Sequence, residues 1–185
     1  PFYPHFDGFI KHFDGTSWSP TLVVSFGVSL DIWPISATDV YATAMMWGLL
    51  HYDGQEWSAV GVPNNERVNS VWGADADNVF AVGDSGFVGH FDGNQWTSSY
   101  ILPGEKLKKV RGFGPADVIA VGSSGSVVIY DGTQWAVSET GVTDTLRDVW
   151  GTHMGNLYVA GDNGTLLHRS GDRWSRVALG IDADL

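Results

Sequence analysis

The sequence predicts an all-β fold: a β-propeller of five blades, each of four antiparallel strands, built from a 39-residue unit repeated along 185 residues. Three observations carry this. Trp18, Trp57, Trp96, Trp135 and Trp174 stand 39 residues apart, and so do Trp33, Trp72, Arg111 and Trp150. Residues 71–96 and 110–135 align without a gap and agree at 13 of 26 positions. Composition adds 24 glycines and 9 tryptophans in a chain 43% apolar, which describes many turns around a core of large rings.

Each element follows from one unit. Between residues 71 and 100, VWG closes a first strand (A), NVFAVG is a second (B), GFVGHF a third (C), and QWTSSY opens a fourth (D). Strand B is apolar almost throughout (DVYATA, NVFAVG, DVIAVG, NLYVAG), as a strand covered on both faces must be. The B–C turn reads GDSG, GSSG or GDNG in three units. The C–D turn is Asp-Gly in HFDGTSW, HYDGQEW, HFDGNQW and YDGTQW, which signals a type I′ hairpin with positive φ at both central residues. The last unit reads RSGDRW instead. Four strands of about five residues joined by short turns fill one blade, and blades stacked face to face cover strand B on both sides.

The units fall at 1–30 (partial), 31–69, 70–108, 109–147 and 148–185 of a single domain. Residues 1–5 take the strand B position of the first unit, whose strand A is missing, and Asp182–Leu185 match Thr143–Leu146. In a five-bladed ring the C-terminal tail is expected to reach that first unit. The rival expectation is a longer ring of which these units form a part.

Charge and composition exclude several functions. A formal charge of −11 argues against a nucleic-acid binder, which needs a basic surface, and against contact with anionic membranes. No apolar run approaches the roughly 18 residues that cross a bilayer. With no cysteine, disulfides, zinc–thiolate sites and thiol nucleophiles are ruled out. No cofactor is expected.

Residues kept in every unit read as packing. Asp14, Asp53, Asp92 and Asp131 are expected to cap turns by accepting backbone amides, and the tryptophans that follow to pack between blades. His12, His51, His90 and His168 share one strand C position, but equivalent positions on neighbouring blades stand too far apart to ligate one ion, so no metal site is expected. Departures from the repeat are more informative. The second B–C turn is Ala44-Met45-Met46-Trp47, and apolar side chains at a turn imply a contact. Arg111 replaces a tryptophan and stands near Lys106, Lys108 and Lys109, a local positive patch on an acidic protein.

The phrases VWG, DVYATA, NVFAVG, GDNG and HYDGQEW resemble bacterial β-propeller repeats of the two-component-regulator type. At the DG-x-x-W turn they are similar to the Asp-box of sialidase-type propellers. A sialidase would imply an arginine triad, a tyrosine nucleophile and an acid. The six arginines are Arg67, Arg111, Arg147, Arg169, Arg173 and Arg176, three of them crowded in the last hairpin, so no triad carries over.

Three functions are expected in order. The first is a non-enzymatic, multivalent binding module for carbohydrate, with Trp47, Asp84, Asp162, Asn163 and Arg111 as ligand candidates. The alternative is a protein-interaction scaffold or sensor domain, with Met45, Met46 and Lys108 meeting the partner. The third is a glycoside hydrolase, which needs two carboxylates about 5–9.5 Å apart across a pocket. No catalytic residue stands out, and a secreted or cell-surface location is expected.

Overall fold

The computed structural model describes residues 8–19, 22–24, 31–44, 48–63 and 66–180. Four of the five units form four-stranded antiparallel sheets in which chain order is spatial order. They are β3 (Ile32–Ser36) to β6 (Trp57–Val60), β7 (Val68–Asp75) to β10 (Trp96–Tyr100), β11 (Leu107–Gly114) to β14 (Trp135–Val137), and β15 (Leu146–His153) to β18 (Arg173–Arg176). Their second strands are β4 (Asp39–Ala44), β8 (Asn78–Gly83), β12 (Asp117–Gly122) and β16 (Asn156–Gly161). Their third strands are β5 (Gly48–Tyr52), β9 (Phe87–Phe91), β13 (Val127–Tyr130) and β17 (Leu166–Ser170). The first unit contributes β1 (Gly8–Ile10) paired with β2 (Leu22–Val24). Residues 1–5 and 182–185, on which the expected seam depends, lie outside the described residues, as do Met45, Met46 and Trp47.

Successive sheets stack through their first strands: β3 meets β7, β7 meets β11, and β11 meets β15. These strands therefore converge on the inside of the arc, and the fourth strands lie outside. The apolar second strand follows from this stacking. Val79 and Ala81 join a core with Tyr41 and Leu49 of the preceding unit, while Phe80 and Val82 join a core with Val110 and Val118 of the next. All four of these β8 side chains are 0% exposed. Burying a phenylalanine of this kind contributes about 1.5–3 kcal/mol.

The glycine that ends the second strand has a steric reason. A Cβ at Gly83, Gly122 or Gly161 would strike the carbonyl oxygen of Arg67, Lys106 or Thr145. Those carbonyls accept the amides of Asp84, Ser123 and Asp162 at 3.1, 2.9 and 2.8 Å, which pins each B–C turn to the start of its own unit. Ser85, Ser124 and Asn163 follow in left-handed backbone, with φ of 59°, 53° and 54°.

The C–D turns differ from the type I′ expectation. Between Phe91 and Trp96 the turn is four residues long, and among them only Gly93 has positive φ (86°). The aspartate shapes it instead: Asp92 Oδ1 accepts the amides of Asn94 and Gln95 at 3.0 and 2.8 Å. Asp14, Asp53 and Asp131 do the same in their turns. These amides hold the carboxyls of Asp53 and Asp92 below the usual aspartate range. The Thr133 hydroxyl, followed by the turn amides, does so for Asp131.

The strand C histidines pack on the preceding strand. His51, His90 and His168 stack on Tyr41, Phe80 and Tyr158 at 4.4, 4.2 and 4.5 Å. His51 Nε2 bonds Asp39 and His168 Nε2 bonds Asn156, both at 2.9 Å, so their partners sit at the start of strand B and not at the Asp-Gly turn. Among the described residues His90 Nε2 has no partner, and burial lowers its pKa from 6.5. No cluster of three potential metal ligands occurs among the described residues.

Candidate functional site

A meander of this kind places the B–C turns and the connections into each first strand at one end of the sheets, with the A–B and C–D turns at the other. At the C–D end four units repeat one another with turns capped by Asp14, Asp53, Asp92 and Asp131, while in the last Asp172 accepts from Arg169 at 2.9 Å. At the B–C end they do not. Asp31, Ser70, Lys109 and Asp148 occupy one repeat position there, as do Asn69, Lys108 and Arg147 just before it.

Three of these side chains meet. Lys109 Nζ lies 2.9 Å from both Asp31 oxygens, bridging the fourth unit to the second. Ser70, between them and 0% exposed, donates its hydroxyl to Asp31 Oδ2 and accepts the Val110 amide at 3.1 Å. The Val71 amide also points at Asp31 Oδ2, at 3.3 Å. This polar link ties the first strands of three consecutive units at the inner mouth of the B–C face. The sequence reading missed it, although the 39-residue spacing of 31, 70 and 109 was the signal that finds it.

The turn residues expected to meet a sugar are bonded within the protein. Asp84 accepts Asn69 Nδ2 at 2.9 Å and pairs with Lys106 Nζ at 3.3 Å. Burial pushes the Asp84 carboxyl up, but the Asn69 and Lys106 hydrogen bonds and the Lys106 and Arg67 charges outweigh it and hold the pKa down. Asp162 takes a two-pronged pair from Arg147 at 2.6 and 2.8 Å, which keeps its carboxyl low. Asn163 donates to Asp144 at 2.8 Å, and Thr165 donates to the other oxygen of the same carboxylate at 2.6 Å.

The positive patch is likewise divided. Lys106 and Lys109 are paired, whereas Lys108 makes no ion pair among the described residues. Asp148, exposed, accepts only the amide of Val149 at 2.9 Å among the described residues. Arg111 reaches along the arc: its guanidinium lies 5.9 Å from the Trp150 ring and 5.8 Å from Phe113. A cavity of about 420 Å³ between the first two units is lined by Ile10, Ile32, Pro34, Val40, Tyr52 and Trp57, away from these charges.

No family model and no curated protein matches the chain. Solved structures do. A structure described as YCF48 bound to D1 peptide shares 15% identity and a TM-score of 0.65, over 91% of this chain and 60% of that one. YCF48 from Cyanidioschyzon merolae shares 15% identity and a TM-score of 0.61, over 80% and 52%. A structure of U3-55K shares 9% identity and a TM-score of 0.69, over 85% and 55%. These are β-propeller proteins, and the likeness establishes that fold for the present chain. The chain spans between about half and three-fifths of the length of these neighbours.

Proposed function

We propose that the chain is a non-enzymatic protein-interaction propeller that takes a peptide segment of its partner across the inner mouth of the B–C face. The carrying observation is the contrast between the two ends of the sheets. The turns capped by Asp14, Asp53, Asp92 and Asp131 at the C–D end offer four units the same chemistry. The B–C mouth sets Asp31, Ser70, Lys109 and Asp148 at one repeat position, with Asn69, Lys108 and Arg147 beside it. A surface whose equivalent positions differ in charge can fix the register and direction of an irregular ligand, which a uniform surface cannot. Lys108 and Asp148 supply opposite charges there with no side-chain partner among the described residues, and they remain for a ligand. The peptide carried by one structural neighbour agrees with this reading.

Panning a random peptide library against the chain, followed by calorimetry, tests it. Charge reversal at Lys108→Glu or Asp148→Lys is expected to weaken a selected peptide about tenfold, near 1.4 kcal/mol. Asp92→Ala, at the opposite end, leaves affinity unchanged. Absence of any peptide binding tighter than about 100 μM, or reversal variants that bind as the native chain does, refutes the proposal.

A further inference from the structure

Three of the four-stranded sheets carry a tryptophan on the first strand where the other carries Arg111, and each has a ring or branched residue opposite it on its second. Trp33 pairs Tyr41, Trp72 pairs Phe80, Arg111 pairs Ile119 and Trp150 pairs Tyr158. In three sheets the next unit covers this face. Trp33 Nε1 donates to the Gly73 carbonyl at 2.8 Å, and the Trp72 ring occupies the space that a side chain at Gly112 would need. Tyr41 meets Trp96 edge-on at 6.4 Å, and Phe80 meets Trp135 at 6.2 Å. At both of these junctions the first-strand tryptophan meets a glycine 40 residues on, and the second-strand ring meets a DG-x-x-W tryptophan 55 residues on.

The last sheet breaks the pattern. Trp150 is 58% exposed and Tyr158 42%, against 5% for Trp72 and 0% for Phe80. His168 stacks on Tyr158 as His90 does on Phe80, so the face is fully formed and simply uncovered. Two large rings side by side in water are unfavourable in a soluble domain unless something covers them.

We propose that this face is a blade–blade interface whose occupant is one further 39-residue unit of the same repeat, carried by the same polypeptide. That unit would present a glycine to Trp150 and a DG-x-x-W tryptophan to Tyr158. Two observations select this occupant. The same face, in the same register, is covered in this way twice within the molecule, and a third time with Arg111 and Ile119 in place of the rings. The propellers that share the fold are longer, with this chain matching 60%, 52% and 55% of them. The inference is independent of the peptide-binding reading.

The test places a copy of residues 108–146 directly after Leu185, which brings the copied Gly112 opposite Trp150 and the copied Trp135 opposite Tyr158. Fluorotryptophan NMR, with Trp150→Phe for assignment, reads the response of Trp150 to a soluble paramagnetic agent. Sedimentation reads the association state. In the 185-residue chain Trp150 is expected to be broadened and the chain monomeric. In the fusion Trp150 is protected, and Tm rises by roughly 5 °C or more. A fusion whose copy carries Gly112→Trp and Trp135→Ala shows neither effect. Three results overturn the proposal. The fusion leaves Trp150 exposed; the unfused chain protects Trp150 as a monomer, so that its own first unit closes the face; or it protects Trp150 as an oligomer, so that a second copy does.

Discussion

Replacing Lys109 by methionine removes the charge that links the fourth unit to the second while keeping most of the apolar stem. The side chains of Asp31 and Lys109 are 14% and 32% exposed. Removing one partner of a fully buried pair costs about 3–5 kcal/mol, and an exposed pair is worth about 0–1 kcal/mol, so this partly buried pair falls near 2 kcal/mol. Asp31 keeps the Ser70 hydroxyl and the Val71 amide after Lys109→Met, which limits the loss on that side. Asp31→Ala is the more damaging change, at about 3 kcal/mol. It takes the acceptor from a Ser70 hydroxyl with no exposure to water as well as the counter-ion of Lys109. For a domain of this size these values correspond to Tm decreases of roughly 4–12 °C. Urea melts of the native chain, both single variants and the double variant form a thermodynamic cycle with an expected coupling of about 1.5–2 kcal/mol. Additivity within about 0.3 kcal/mol would show that the three first strands are not joined through this cluster.

Gly112→Ala should destabilise by about 1–3 kcal/mol, because its Cβ enters the Trp72 ring, while Gly114→Ala, which meets nothing within 4 Å, should leave Tm nearly unchanged. Equal effects from the two would refute the close approach. The turn carboxyls of Asp53, Asp92 and Asp131 are held below 3.8, so the stability they contribute is present above that value and is lost as pH falls through their lower folded values. Replacing all three with alanine should flatten the Tm profile below about pH 4, measured by scanning calorimetry. For His90 the folded state disfavours the charged imidazole, because burial lowers its pKa from 6.5. The unfolded chain therefore binds the proton more readily, and stability falls as pH drops below that value. His90→Gln should shrink the difference in Tm between about pH 7.5 and pH 5.5.

The parts legible in the sequence are those that repeat because an interface demands them. The 39-residue spacing of the tryptophans and of the apolar second strand records the face-to-face stacking directly. The turn at Asp92–Gln95 was legible as a turn but not in its type. The Asp-Gly pair suggested two left-handed residues, whereas only Gly93 is left-handed and the Asp92 carboxylate shapes the turn by accepting two amides. The site was less readable, because a loop residue's type does not reveal whether its hydrogen bonds are already satisfied. Asp84, Asp162 and Asn163 look available in the sequence. Lys106 and Asn69, Arg147, and Asp144 satisfy them from positions only 15 to 22 residues away, brought close because each B–C turn folds back on the start of its own unit.

Arg111 shows that a departure from a repeat can carry packing as well as charge. In the stack of first strands Trp33 lies 6.1 Å from Trp72, and Arg111 stands at the same distance class, 5.9 Å, from Trp150. The flat guanidinium thus takes the place of an indole and lies over the next ring, where its delocalised plane can stack in a way that an ammonium group cannot. Its Nε is buried and without a hydrogen-bond partner among the described residues, which places it within the junction between the two sheets. Because these contacts join neighbouring units only, each junction depends mainly on its two adjoining units. A change at Arg111 should then weaken the fourth–fifth junction while leaving the Trp33–Trp72 junction intact. On the peptide-binding proposal the ligand meets instead the first-strand positions at the B–C mouth, where Asp31, Ser70, Lys109 and Asp148 differ from one unit to the next.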